Sequence, residues 1–105
     1  MAYQEESMNV LFNGEKVALK ISRGYRHMPK QPFIEAFCLD GEPYASVTVC
    51  IPNVSLGEDE TVLDTNNIPD SLHSLVESGC VEYSGRTVRS GFCEYPVVRV
   101  LAPIK

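Results

Sequence analysis

The sequence predicts an α+β domain, an antiparallel sheet of about five to six strands with one short helix packed on one face. Three observations predict it. Apolar residues alternate with period 2 in several short runs, most clearly from Tyr44 to Ile51. Asn13-Gly14 and Asp40-Gly41 are tight-turn pairs between such runs, and short turns join strands antiparallel. One stretch has helical spacing, with Ile68, Leu72, Leu75 and Val76 at i, i+4, i+7 and i+8.

The elements follow in order. Met8 to Phe12 and Lys16 to Ser22 flank the Asn13-Gly14 turn; in the second run Val17, Leu19 and Ile21 share one face. Gly24, Pro29 and Pro32 break the pattern and predict an exposed loop. Phe33 to Leu39 resumes alternation. Tyr44 to Ile51 is expected to be the central strand, with Ala45, Val47, Val49 and Ile51 on one face and Pro52 ending it, because proline donates nothing to a ladder. Val47 and Val49 are expected to meet Leu72 and Leu75 of the helix. After an acidic loop, Thr61 to Leu63 is a short strand. Asn67 or Asp70 can cap the helix, Pro69 suits its first turn, and Gly79 suits its end. Cys80 to Tyr83 reads as a strand, Ser84 to Arg86 as a turn, and Thr87 to Phe92 as a further short strand. A last strand alternates around Val98 and Val100.

A chain of 105 residues fits one domain, expected to span 1–105 with residues 1–7 as a flexible N-terminal segment. No apolar run reaches the ~20 residues that span a bilayer. The polar, acidic N-terminus lacks the pattern of a signal peptide, so a cytoplasmic protein without membrane contact is expected. Cys38, Cys50, Cys80 and Cys93 form no C-x-x-C pair. They are expected to be reduced, as small apolar core residues; a zinc site is the rival reading, set back by the scatter of its ligands. No metal or other cofactor is expected.

The net charge of −5 is unevenly spread. Residues 53–82 hold seven acids, Glu58, Asp59, Glu60, Asp64, Asp70, Glu77 and Glu82, and no Lys or Arg. Residues 16–30 hold five basic residues and no acid. A net acidic surface disfavours direct nucleic-acid binding and favours a basic protein partner, many of which bind nucleic acid themselves. Plain solubility is the rival reading. Glu58, Asp59, Glu60, Asp64, Asp70 and Glu77 are the candidate partner-binding residues.

Signs of catalysis are absent from the pattern. His27 and His73 are the available imidazoles, and neither has a nucleophile or acid in a recognisable local signature. Glu58 to Glu60 lacks the alternating ligands of a calcium loop. Ser84 to Phe92, with Arg86 and Arg89 between Gly85 and Gly91, has two readings: a small anion-binding hairpin, or a polar hairpin whose arginines pair with the acidic stretch.

Three blocks in order, GEPYASVTVCIP (41–52), DTNNIP (64–69) and GFCEYP (91–96), resemble small uncharacterised proteins of Firmicutes phages and conjugative elements. The resemblance covers roughly 41–101 and carries no catalytic residue. It implies a mobile-element setting in a bacterial cytoplasm. Such a setting, together with size and charge, is similar to that of anti-CRISPR inhibitors of type II RNA-guided DNA nucleases, which hold their heteroduplex in a positively charged channel. The expected function is inhibition of such a nuclease through an acidic surface, without catalysis. The rival is an accessory or regulatory protein that binds another host or element protein.

Overall fold

A computed structural model describes residues 9–23, 31–51 and 54–102. The expected flexible segment 1–7, His27 and most of the 24–32 loop, and Pro52 lie outside these residues. The order is β1 (Asn9–Phe12), β2 (Glu15–Arg23), β3 (Pro32–Cys38), β4 (Pro43–Ser46), β5 (Thr48–Val49), β6 (Glu60–Leu63), α1 (Ser71–Ser78), β7 (Val81–Ser90) and β8 (Cys93–Val100). The α+β class holds, but the single sheet does not. The described strands form two four-stranded antiparallel sheets, ordered β1-β2-β3-β4 and β5-β6-β8-β7.

The sheets part within the run expected to be one central strand. Val47 donates its N–H to Ile34 O in the first sheet, and its own carbonyl accepts from Asp64 N beside the second, both at 2.8 Å. The chain thus leaves β4 and enters β5 across one residue. Alternation continues through such a corner, so the period alone cannot reveal it. Val47 is fully buried, whereas Val49 is half-buried and faces a different cluster.

The inner faces of both sheets meet in one core that includes Phe12, Val17, Ile34, Val47, Leu63 and Val98. A smaller core lies on the outer face of the second sheet, where Ile51, Val62 and Val97 are covered by Val54, Leu56, Val88 and Tyr95. With both faces covered, Thr61 to Leu63 and Pro96 to Val98 are buried without alternation. At the junction of the sheets, Gln31 Nε2 donates to Thr61 Oγ1 (2.9 Å) and Val49 O (3.2 Å), and Thr61 Oγ1 donates to Pro32 O (2.7 Å).

The helix does not lie on the face of one sheet. It packs against β1 and β7, the edge strands of the two sheets, and closes the gap between them. Its buried residues are Ser71 and Leu75, with Ile68 buried just before it, and Leu72 is half-buried. The expected face is therefore rotated, and Val76 points outward at 42% exposure. Gly79 ends the helix at φ +83°, with Gly79 N donating to Val76 O and Cys80 N to Leu75 O. Cys80 is buried; Cys38, Cys50 and Cys93 are half-buried; all four thiols are free.

β7 also departs from expectation. The turn expected at Ser84 to Arg86 is a bulge inside one ten-residue strand, made possible by Gly85 at φ +87°. Pairing with β8 resumes from Arg86–Val97 to Ser90–Cys93.

Candidate functional site

The fold separates the six candidate acids into two groups. Glu58, Asp59 and Glu60 lie at the turn into β6, whereas Asp64 and Asp70 lie beyond its other end. Glu77 is near the end of α1, which leads back through Cys80 to β7 beside the first group, where Val100 N donates to Asp59 O and Leu101 N to Cys80 O. Glu60 and Asp64 are four residues apart along an extended segment, roughly 13 Å at ~3.3 Å per residue.

Most of the six also serve the fold. Asp59, at φ +63°, pairs with Arg23 at 2.5 Å, and its carbonyl accepts from Val100 N. Glu60 Oε1 accepts from Arg86 Nη2 (3.0 Å) and from Gly57 N (2.7 Å). Asp64 accepts from the backbone N–H and the side-chain amide of Asn67. Asp70 occupies the N-cap of α1 without capping through its side chain; its Oδ2 accepts from Asn13 N at 2.7 Å. Glu77 sits 3.6 Å from His73 on the exposed side of the helix. Glu58 is exposed at the turn.

Two further features stand out, and of the residues that form them only Asp70 is among the candidate acids. The first is the β7–β8 hairpin. From Glu82 to Glu94 nearly every residue is exposed, and Phe92 at the turn is fully exposed. Its signal was readable: a large apolar side chain in a two-residue turn, Gly91-Phe92, has no core to enter. Arg86 ties this hairpin to the acidic turn, because its Nη2 donates to Ser55 O (2.9 Å) as well as to Glu60. Glu82 pairs with Arg99 at 2.6 Å, and Thr87 Oγ1 donates to Glu94 at 3.1 Å. The arginine-pairing reading of this segment therefore holds for Arg86.

The second is an open cleft of about 530 Å³ lined by Asn13, Tyr44, Ala45, Asn67, Ile68, Pro69 and Asp70. It joins the β1–β2 turn, β4 and the approach to α1. Tyr44 also packs on Phe12, with ring centroids 6.3 Å apart.

Among the described residues, no group of three or more His, Cys, Asp or Glu side chains could hold a metal ion, and no helix is long and apolar enough to cross a membrane. Burial, and then the charges of Glu15 and Asp40, push the Cys38 thiol up. Burial pushes Cys80 up, partly offset by a hydrogen bond with Ser78. The Tyr95 phenol is raised first by its hydrogen bond with Cys93 and then by burial.

No curated protein and no solved structure matches the chain. A family model does, over residues 19–102, which span most of β2 through β8. With four-fifths of its length matched, the chain belongs to the family described as Domain of unknown function (DUF4313).

Proposed function

We propose that the domain is a non-catalytic binding module that docks on another protein through the β7–β8 hairpin and the acidic turn beside it. The observation that carries this reading is Phe92, fully exposed at the end of a hydrogen-bonded hairpin. An aromatic ring held in water by ordered backbone is suited to anchor in a partner's pocket, where such residues supply most of the binding energy. Glu58, Asp59 and Glu60 lie beside the base of this hairpin and would steer a basic partner surface towards it. Asp64 and Asp70, beyond the other end of β6, belong to a second acidic contact, and Glu77, on the exposed side of α1, lies apart from both.

The partner favoured by charge is a basic, nucleic-acid-binding protein. The mobile-element resemblance narrows it to a bacterial defence nuclease, and specifically to a type II RNA-guided DNA nuclease in the host cytoplasm. A plasmid-interference assay tests this. Cells carrying such a nuclease and expressing the parent protein should accept a targeted plasmid, and cells expressing Phe92→Asp should reject it. Rejection in both would rule out the nuclease as partner; acceptance in both would rule out the hairpin as the contact.

A further inference from the structure

Two of the three sequence blocks meet in the cleft. Tyr44 and Ala45 come from the first, and Asn67, Ile68 and Pro69 from the second. Folding accounts for part of this. Ile68 fills the core, and Asp64 organises the turn through Asn67. Tyr44 packs on Phe12 and the Asn67 carboxamide bonds Asp64, yet both also line the open cavity.

The cleft has a definite chemistry. Its volume falls within the ~300–1,000 Å³ range of ligand pockets. Ala45, Ile68 and Pro69 give an apolar bed, Tyr44 an aromatic wall, and Asn13 and Asn67 two carboxamides. Asp70 is the single charged residue among its described lining. A second carboxylate, Asp64, stands behind Asn67 at 2.8 Å from its amide nitrogen. The start of α1 contributes partial positive charge, equivalent to about half an elementary charge, which one full carboxylate outweighs. A ligand suited to this lining is a cation on an apolar stem with several N–H donors.

We propose that the cleft receives an arginine side chain of a partner protein, with its alkyl stem on Ile68 and Pro69 and its guanidinium on Asp70 and the carboxamides. Arginine fits better than lysine, since its planar fork satisfies several acceptors at once and it is more weakly hydrated. The proposal agrees with a basic partner but does not depend on the hairpin or on the identity of that partner.

The test is a titration of the isotope-labelled protein, followed by NMR. The probes are N-acetyl-arginine methylamide, the same arginine within a short glycine peptide, and the citrulline analogue, which keeps the shape and loses the charge. Both arginine probes should shift the amides of residues 44–45, 67–68 and 70, and citrulline should not. A shift with the small derivative alone would mean a site for free guanidinium compounds and would overturn the partner assignment. Asp70→Asn can still accept from Asn13 N, so it should fold, and it should weaken arginine binding about ten-fold. Tyr44→Phe, which keeps the packing on Phe12, should weaken it less. No shift at these amides, or equal shifts with citrulline, or an unchanged affinity in a folded Asp70→Asn protein, would overturn the proposal. These outcomes are independent of plasmid interference, so failure here and failure of the nuclease reading can be told apart.

Discussion

Arg86 on β7 and Glu60 at the start of β6 lie 3.0 Å apart, Nη2 to Oε1, and the same guanidinium nitrogen holds Ser55 O. Glu60 in turn accepts the Gly57 N–H. One cation therefore fastens the 55–57 segment to the hairpin. The pair is part-exposed, so its contribution to stability is small, about 0.5–1 kcal/mol. Its local effect is larger. Arg86→Ala should accelerate hydrogen exchange at Gly57 and proteolysis within 54–58 while leaving the core strands protected. Unchanged exchange at Gly57 would show that the tie does not order this segment.

The acidic turn is not uniformly free to change. Glu58→Lys should alter stability by about 0.5 kcal/mol or less, because it is an exposed turn position. Asp59→Lys and Glu60→Lys place a cation against Arg23 or Arg86 and should each cost about 1 kcal/mol or more. Urea denaturation of the three single variants checks this order. Equal midpoints would mean that the two ion pairs contribute nothing measurable.

Val47 and Val49 separate the corner from its flank. Val47 is fully buried between the sheets, so Val47→Ala should cost about 2–3 kcal/mol. Val49 is half-buried in the smaller outer cluster, and Val49→Ala should cost about 1 kcal/mol. The same denaturation experiment decides it, and a reversed order would contradict the sheet switch at Val47.

That switch marks the limit of what was legible. The Asn13-Gly14 turn, the β2 face of Val17, Leu19 and Ile21, and the Gly79 stop were readable because each depends on local backbone chemistry. The passage from β4 to β5 was not, since Tyr44 to Ile51 keeps alternating while its hydrogen-bond partners change sheet. Val76 faces outward, not into the core, because the helix lies between two sheet edges, and its contact face follows from that placement rather than from spacing. The acids were visible as a run in sequence, but their partners, Arg23, Arg86, Asn67 and Asn13, come from elsewhere in the chain or depend on the local turn. The cleft joins segments more than fifty residues apart, Asn13 and Asp70 among them, and no local pattern announces it.

Alkaline pH should weaken the fold. Cys38, Cys80 and Tyr95 all have raised pKa values in the native state. For a raised acid the unfolded chain releases its proton first. The stabilising contribution is thus complete below the unfolded value, about 8.5 for a thiol and 10 for a phenol, and is lost as pH rises through the folded one. Unfolding midpoints should fall steadily above about pH 8.5, and less steeply in Cys80→Ala once its lower starting stability is subtracted. An identical slope in that variant would show that burial of Cys80 does not govern the thiol's titration.

The proposed docking surface is centred on Phe92. Exposed as it is, Phe92→Asp should change the free energy of unfolding by about 0.5 kcal/mol or less, so any binding defect is not a folding defect. The most direct test measures parent and variant side by side for binding to a type II nuclease–guide complex by interferometry. The proposed docking requires that the parent bind and that Phe92→Asp lose about 30-fold or more in affinity, the size of an anchor residue's contribution. A parent that does not bind, or a variant that binds as tightly as the parent, would contradict it.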